Sequence, residues 1–217
     1  MNAGKSAALL QSAWNYREQG MHVALFVAAV DPASHRDRIV SRIGISAAAI
    51  PFDKQFNLLN RVRREHRKRP VSCVMVDEAQ FLTAEQVWQL AGIADRLSVP
   101  VNCYGLRTDF RGVLFRGAAE LMTISDQLVE INAVCHCGRN AGMVIRCDED
   151  GVVVTTGKQI EPDKSRYRSL CRLHWLEEAS RSRPVRQGNQ RKATGAKKQD
   201  RQQHRGSLGG RARVPRD

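Results

Sequence analysis

Short, almost continuous apolar runs alternate with amphipathic stretches along the N-terminal part of the chain. The apolar runs span residues 22–30, 71–77 and 99–105. Such runs are typical of strands that are covered on both faces of a parallel sheet. Helical spacing of apolar residues marks the stretches 5–19, 53–67, 83–97 and 113–122. This alternation predicts an α/β domain with a mainly parallel sheet, in which residues 127–134 form a further strand.

The pattern changes at residue 135. A strong hairpin signal, Asp150-Gly151, is followed by a polar loop and a short final helix from 170 to about 179. Residues 180–217 are rich in Arg, Gln and Gly and poor in apolar side chains, so they bury too little surface to offset the entropy of ordering. We therefore expect three parts: an α/β domain over 1–134, a small domain over 135–179 and a disordered basic tail over 180–217.

Most of the formal net charge of +13 comes from this tail. Residues 180–217 contain 12 Lys or Arg and 2 Asp, a net charge of +10, which leaves +3 for residues 1–179. This distribution predicts that nucleic acid binds only weakly, through the tail, and in a salt-sensitive way. No apolar run is long enough to cross a bilayer and no secretory signal is visible, so we expect a cytoplasmic protein without a membrane partner.

The chain opens with Met1-Asn2-Ala3-Gly4-Lys5-Ser6, directly before the first amphipathic stretch. Gly4-Lys5-Ser6 matches the closing half of the phosphate-binding loop G-x-x-x-x-G-K-[ST]. In that loop the backbone N–H groups and the lysine bind phosphates, and the hydroxyl binds Mg²⁺. The opening glycine and the strand that delivers it would lie before Met1. For the chain as written we expect a missing N-terminal strand, low stability and little activity.

An acidic pair, Asp77-Glu78, ends the apolar run 71–77. In phosphate-loop enzymes an aspartate at such a strand end faces Mg²⁺ and the phosphates. Glu78, one residue further on, is suited to act as a general base on an attacking hydroxyl. An ordinary acidic turn is the alternative, but the spacing from Lys5 and the strand–helix alternation between them favour a nucleotide site.

Four residues in the C-terminal third have the ligand chemistry of a structural zinc site: Cys135, Cys137, Cys171 and His174. Three thiolates and one imidazole complete a tetrahedral set that leaves no open position. Cys147 and His136 are competing ligands in less suitable positions, and unrelated buried cysteines are the alternative. Cys73 and Cys103 lie inside apolar runs and are predicted to be core residues.

A loop over residues 105–112 follows the carboxyl end of the third apolar run. Substrates bind at the carboxyl ends of strands in parallel sheets. Phe110 and Phe115 would give a flat base a large contact surface. Core packing is the other role open to these two rings, and the sequence alone favours neither.

Five segments, in this order, closely resemble the type II thymidine kinase family: M-N-A-G-K-S, D-E-A-Q-F-L, Y-G-L-R-T-D-F-R-G-x-L-F, C-H-C-G-R and Y-x-S-L-C-R-x-H. The resemblance runs from residue 1 to about residue 177. It implies an enzyme that transfers the γ-phosphate of ATP, bound with Mg²⁺, to the 5′-hydroxyl of thymidine or deoxyuridine. It also implies a P-loop domain over 1–134, a zinc-binding lasso over 135–179, a homotetramer and feedback inhibition by dTTP.

The resemblance implies roles for individual residues. The ATP and Mg²⁺ site would be lined by Met1, Asn2, Ala3, Gly4, Lys5, Ser6, Asp77, Glu78, Ala79 and Gln80, with Glu78 as the catalytic base. The nucleoside would be bordered by Phe110, Phe115 and Tyr167, under a loop that lies between the two pairs of zinc ligands. The zinc ion would be held by Cys135, Cys137, Cys171 and His174.

Two other functions are kept as alternatives. A P-loop zinc protein could bind nucleic acid through its zinc module and basic tail, and a truncated kinase could be inactive. The aromatic residues are not interleaved with the basic ones, which disfavours the nucleic-acid alternative. A thymidine phosphorylation assay beside a DNA-binding titration over salt distinguishes the three functions.

Overall fold

The structure is a computed structural model that describes residues 3–29, 37–159 and 167–181. The helices are α1 (Lys5–Glu18), α2 (Leu58–Lys68), α3 (Ala84–Leu97), α4 (Arg116–Ile124) and α5 (Arg172–Arg181). The strands are β1 (His22–Ala28), β2 (Arg38–Val40), β3 (Ser46–Ala48), β4 (Ile50–Phe52), β5 (Val71–Asp77), β6 (Val101–Cys103), β7 (Met143–Cys147), β8 (Val153–Val154) and β9 (Tyr167–Leu170).

The main sheet has four parallel strands in the order β4-β1-β5-β6. Three of these four strands, β1, β5 and β6, coincide with the three apolar runs of the sequence. The predicted α/β class with a parallel sheet is therefore confirmed. Because the strands are parallel, their carboxyl ends share one edge of the sheet. Asp77, the last residue of the interior strand β5, lies at that edge.

Both faces of the main sheet are buried, which explains why β1 and β5 are apolar at successive positions. Side chains that alternate along a strand enter different hydrophobic clusters. One cluster contains Leu9, Leu10, Ala13, Val23, Leu25, Cys73 and Met75, and so joins α1 to the sheet. The other contains Ala24, Phe26, Val74, Val76, Leu58, Val62, Val87, Leu90 and Ile93, and so joins α2 and α3 to the opposite face.

Side-chain caps set the starts of α2 and α3. The predicted capping box is present: Gln86 N donates to Thr83 Oγ1, and Thr83 N donates to Gln86 Oε1. The helix predicted over 53–67 begins instead at Leu58, because Asn57 Oδ1 accepts a hydrogen bond from Asn60 N at 2.8 Å and so caps it.

The further strand predicted over 127–134 is wrong. In the described part of the chain this segment has only an isolated bridge between Val134 and Asn140. Leu128 and Val129 are 64% and 82% exposed, which shows that these two apolar side chains are not packed against a sheet. Conversely, the polar stretch after residue 37 contains the antiparallel pair β2–β3 and the edge strand β4, which are too short to show a pattern.

A second, antiparallel sheet has the order β8-β7-β9. The predicted hairpin is confirmed between β7 and β8, where Gly151 has φ 81° and Asp148 Oδ1 accepts from Val152 N at 2.8 Å. A third hydrophobic cluster lies here and contains Ala133, Cys135, Ala141, Ile145, Cys147, Leu170 and Cys171.

The described residues belong to one compact unit, and the predicted division at residue 134 stays a prediction. Of the predicted tail over 180–217, only Ser180 and Arg181 are described, and both belong to α5. The rest of the tail lies outside the described residues. Within the described ranges, no helix combines the length and the apolar character needed to span a membrane.

Candidate functional site

The start of α1 has the features of an anion site. Gly4 has φ 78°, a conformation that favours glycine, and its carbonyl accepts from Ala8 N at 2.8 Å. No side chain caps this end of α1, so the first backbone N–H groups are free of a side-chain acceptor and the positive end of the helix dipole faces outward. Lys5 and Ser6 form its first turn, while the predicted site residues Met1 and Asn2 lie outside the described residues.

Ser6 and Asp77 are brought together across the sheet. Ser6 Oγ donates to Asp77 Oδ2 at 2.8 Å, and Glu78 N donates to Asp77 Oδ1 at 3.0 Å. Asp77 is 4% exposed. Burial, followed by the charge of Glu78, raises the pKa of the Asp77 carboxyl above its ordinary value. A hydroxyl and a carboxylate oxygen at the start of α1 are a donor set that fits a Mg²⁺ ion.

Glu78 has an unusual backbone conformation for a residue with a side chain. Its φ of 53° and ψ of 40° lie in the left-handed region, which is costly outside glycine and is found at functional sites. Gln80 Nε2 donates to Glu78 Oε2 at 2.6 Å, and Gln80 Oε1 accepts from Leu106 N at 3.0 Å. The 3% exposed Gln80 therefore joins Glu78 to the loop that follows β6.

That loop approaches Gln80 too closely for a side chain on Gly105. A Cβ on Gly105 would lie 2.9 Å from Gln80 Oε1 and 3.0 Å from Gln80 N. Ala79 is fully buried and its N–H donates to Tyr104 O at 2.9 Å. The predicted residues Asp77, Glu78, Ala79 and Gln80 thus form one hydrogen-bonded turn at the carboxyl edge of the sheet.

Phe110 and Phe115 are both buried, 4% and 5% exposed. Phe115 packs edge-to-face on Phe81, with ring centroids 5.7 Å apart. The ring of Phe110 lies under the guanidinium of Arg146, whose Cζ is 4.2 Å from the ring centroid. Tyr167 is the first described residue after 159 and pairs with Arg146 in the β7–β9 register. These contacts connect the loop 105–112 to the second sheet.

Two charged residues that the sequence analysis missed organise this loop. Asp109 is 2% exposed and accepts hydrogen bonds from Arg111 N, Val113 N and the Arg111 guanidinium. Arg146 is 5% exposed and donates to the backbone carbonyls of Thr156 and Lys158. In the sequence, Arg146 stands out only as a charged residue inside the apolar run 144–147. Asp109 stands out only as a charged residue in a turn.

The four predicted zinc ligands lie together. Their ligand atoms are all within 4.8 Å of one another: Cys135, Cys137, Cys171 and His174. His174 Nδ1 is 3.4 Å from both Cys135 Sγ and Cys171 Sγ, and Cys137 Sγ is 3.9 Å from Cys171 Sγ. A tetrahedral zinc site with metal–ligand bonds of about 2.0–2.3 Å separates its ligand atoms by roughly 3.5–3.8 Å. The cluster therefore fits a zinc ion.

The two competing ligands do not join this cluster in the described residues. Cys147 is 6% exposed and packs in the third hydrophobic cluster. The His136 ring stacks on His174, with centroids 4.2 Å apart, and its Nδ1 is 3.7 Å from Cys135 Sγ, but it is outside the group of four residues whose ligand atoms all lie within 4.8 Å of one another. Burial opposes ionisation of the Cys135 thiol, but hydrogen bonds from the N–H groups of Cys137 and Cys171 and from His174 lower its pKa to about 5. A thiolate is the form that binds a metal.

The small sheet and the start of the phosphate loop are in contact, because Ala3 packs on the cluster that contains Cys135 and Cys171. Asp77 joins this same region through Ser6. The first turn of α1, the turn 77–80 and the cysteine cluster thus form one continuous set of contacts around the carboxyl edge of the sheet.

Comparison with known proteins agrees with this arrangement. The family model described as thymidine kinase matches residues 1–175. The chain is 53% identical over 178 residues to a thymidine kinase of Agrobacterium fabrum, covering 82% of this chain and 92% of the relative. It is 52% identical over 178 residues to that of Novosphingobium aromaticivorans (82% and 93% covered) and 47% identical over 184 residues to that of Salmonella typhimurium (83% and 90% covered). The chain belongs to the thymidine kinase family.

Proposed function

We propose that this chain transfers the γ-phosphate of ATP to the 5′-hydroxyl of thymidine. The observation that carries the proposal is the 2.8 Å hydrogen bond from Ser6 Oγ to Asp77 Oδ2. It joins the phosphate-loop helix to the acidic end of the interior strand β5, which is the arrangement that phosphoryl-transfer enzymes of the P-loop class need. The thymidine kinases that the chain resembles support thymidine as the acceptor.

The nucleotide phosphates would bind at the start of α1. There the uncapped backbone N–H groups and Lys5 supply positive charge. Ser6 and Asp77 would hold the Mg²⁺ of the nucleotide, which supplies neutralisation of the charge that develops on the transferred phosphoryl group. Burial and the charge of Glu78 raise the pKa of Asp77, and a bound cation would stabilise the ionised carboxylate against both.

Glu78 would act as the general base for the 5′-hydroxyl. Its strained backbone projects it from the end of β5, and Gln80 holds one carboxylate oxygen, Oε2, by a hydrogen bond. The other oxygen, Oε1, is then available to accept the proton of the nucleoside. General bases of this kind contribute roughly 10²- to 10⁴-fold to turnover.

Thymidine would bind beside the loop 105–112 and the start of β9, with Phe110, Phe115 and Tyr167 at its border. Phe110 and Phe115 are held rigidly by their aromatic and guanidinium contacts, so they would offer a preformed apolar wall to a base. Deoxyuridine, which lacks only the methyl group, remains a second acceptor to be tested.

The cluster of Cys135, Cys137, Cys171 and His174 would hold a structural zinc ion, because all four positions of a tetrahedron are taken by protein ligands. Its role is to fix α5 and β9 against the turn 135–138, at the two ends of the segment that includes β7 and β8. No step of the reaction requires it.

Other properties implied by the family resemblance are also proposals for this chain. They are a homotetrameric assembly, feedback inhibition by dTTP and a cytoplasmic location. Weak binding of nucleic acid by the basic tail rests on its composition alone.

The test is a phosphorylation assay with ATP, Mg²⁺ and thymidine that detects dTMP. Ser6→Ala should lower kcat/KM at least about tenfold, because it removes the hydroxyl that would hold the Mg²⁺ of the nucleotide. Ser125→Ala is the matched control, since this exposed hydroxyl donates to Leu121 O at the C-terminal end of α4. A chain that binds DNA tightly but forms no dTMP would refute the proposal in favour of the nucleic-acid alternative.

A further inference from the structure

Arg146 is a buried cation that donates hydrogen bonds to backbone carbonyls in the loop after β8. It is 5% exposed and lies in β7. Its Nη1 donates to Lys158 O at 2.7 Å and its Nη2 donates to Thr156 O at 2.8 Å. Charge-assisted hydrogen bonds of this length are roughly twice as strong as neutral ones. Two of them fix the positions of carbonyls that flank a single residue, Gly157.

Gly157 fits this contact only because it has no side chain. Its φ is 108°, a conformation that residues with a Cβ rarely adopt. A Cβ at this position would lie 2.6 Å from Arg146 Nη2. The backbone of residues 156–158 therefore wraps closely around one edge of the guanidinium, and the contact depends on both residues.

The flat face of the same guanidinium covers Phe110. Arg146 Cζ lies 4.2 Å from the centroid of the Phe110 ring, well within the range of a cation–π contact. Trp175 Nε1 donates to the carbonyls of Phe110 and Val144, at 3.2 and 3.0 Å. Phe110 is thus held at its ring by β7 and at its backbone by α5.

We propose that Arg146 is a positioning residue for the nucleoside, which fixes residues 156–158 and the Phe110 ring relative to each other. This inference rests on the proposed function, in which Phe110 borders thymidine. In the sequence, residues 156–158 lie between the two pairs of cysteine-cluster ligands, and the Arg146 guanidinium holds the carbonyls of Thr156 and Lys158 beside β7. Arg146 acts through Phe110 and this backbone and does not act on the phosphates.

Lysine cannot replace the arginine here. The guanidinium is planar, so its N–H edge meets two carbonyls while its face stacks on a ring, whereas an ammonium is a point donor with no face. Arg146→Lys keeps the charge and most of the stem. We expect it to raise KM for thymidine by at least about tenfold, the effect of losing one charge-assisted hydrogen bond and the stacking contact. KM for ATP should change less than about twofold.

Gly157→Ala tests the same contact from the other side, because its Cβ would displace the guanidinium. It should also raise KM for thymidine and not KM for ATP. Since both substitutions remove one shared contact, their combination should be clearly less than multiplicative. Arg168→Lys is the control: this arginine lies on the neighbouring strand β9, but its side chain is 55% exposed and forms an ion pair with Glu178, so the kinetics of the variant should match those of the unsubstituted chain.

The measurement is KM and kcat for each substrate in the full chain, with amide hydrogen exchange of residues 155–159. Arg146→Lys and Gly157→Ala should speed exchange there, and Arg168→Lys should not. An unchanged thymidine KM in Arg146→Lys, in a chain that phosphorylates thymidine, overturns the inference and leaves the proposed function intact. If the unsubstituted chain does not bind thymidine, the proposed function fails, and unaltered exchange at 155–159 would then overturn the role of Arg146 in holding this segment as well.

Discussion

The hydroxyl of Ser6 donates a 2.8 Å hydrogen bond to Asp77 Oδ2, although 71 positions separate the two residues. The contact places the first turn of α1 against the last residue of β5. A buried carboxylate at that point is costly, because burial, and after it the charge of Glu78, opposes its ionisation. Because the charge of Asp77 destabilises the fold, we infer that the residue is needed for activity. A substitution that removes this charge should therefore raise stability and lower activity.

Asp77→Asn should abolish most turnover and stabilise the fold at neutral pH. The pKa of Asp77 is raised above 3.8 in the folded chain, so the folded state binds this proton more tightly than the unfolded state. The resulting stabilisation is fully present below about pH 4 and is lost as the pH rises through the folded pKa. Asparagine does not titrate, so the Tm of Asp77→Asn should depend less on pH than the Tm of the unsubstituted chain. Thermal unfolding of both chains between about pH 4 and pH 7 tests this prediction.

Asp109→Asn is the matched control for that experiment. Asp109 is equally buried, but its carboxylate accepts from the Arg111 guanidinium and two backbone N–H groups. Removing its charge should destabilise the chain by about 1–3 kcal/mol, because the amide that replaces the buried Asp109 carboxylate has one acceptor oxygen fewer, so that the Arg111 guanidinium or the backbone N–H groups lose their acceptor. Equal destabilisation by the two substitutions at neutral pH would contradict the account of Asp77.

Glu78→Gln should lower kcat by roughly 10²- to 10⁴-fold and leave the dissociation constant of thymidine unchanged. Glutamine keeps an oxygen for the hydrogen bond from Gln80 Nε2 but cannot accept the proton of the 5′-hydroxyl. Glu85→Gln makes the same chemical change in the first turn of α3, where Glu85 is exposed and only accepts from Gln89. Undiminished turnover in Glu78→Gln, measured beside this control, would exclude Glu78 as the base.

The sequence predicted the parts of the site that depend on residue type and spacing along the chain. Continuous apolar runs identified β1 and β5, and the residue after such a run had to lie at the carboxyl edge of the sheet, which located Asp77 and Glu78. Three cysteines and a histidine in paired spacing identified the cluster around His174. In each case a local pattern determined the geometry, because the strand or turn itself delivers the side chain.

The parts that were missed depend on contacts between distant segments. Residues 127–134 are rich in apolar side chains, yet Leu128 and Val129 are exposed, since no strand of the described ranges pairs with them. In the sequence, Arg146 only interrupts an apolar run. Its structural role depends on hydrogen bonds to the carbonyls of Thr156 and Lys158 and on its contact with the Phe110 ring. Such partners cannot be inferred from spacing, because only the assembled fold brings them together.

Cys171→Ser should release the bound zinc and destabilise the second sheet. Metal analysis of the unsubstituted chain should find about one zinc per chain, since the four ligand atoms satisfy one tetrahedral ion. Cys147→Ser is the control, because this thiol is similarly buried in the same hydrophobic cluster but is outside the ligand set. A metal content that falls equally in both variants, or a chain that holds no zinc, would be inconsistent with the assignment.

Gly117→Ala should destabilise the turn that carries Glu78 and Gln80. Gly117 lies in the first turn of α4, and its Cβ would be 2.6 Å from Leu82 O and 2.7 Å from Gln80 O. Backbone carbonyls cannot move aside as flexible side chains do, so the turn must shift. We expect a loss of about 1–3 kcal/mol in the free energy of unfolding. We also expect a lower kcat, because Gln80 would no longer hold Glu78 in place.

Gly92→Ala makes the same change where the surroundings allow it. Gly92 lies inside α3, and the nearest atom to an added Cβ is Leu59 Cδ2 at 3.9 Å, an ordinary contact distance. The alanine should therefore stabilise the chain by about 0.5–1 kcal/mol, because glycine is the poorer helix former. Denaturant unfolding and steady-state kinetics of both variants check the pair. If Gly117→Ala left stability and kcat as high as Gly92→Ala does, the close packing of α4 on the turn would not control Glu78.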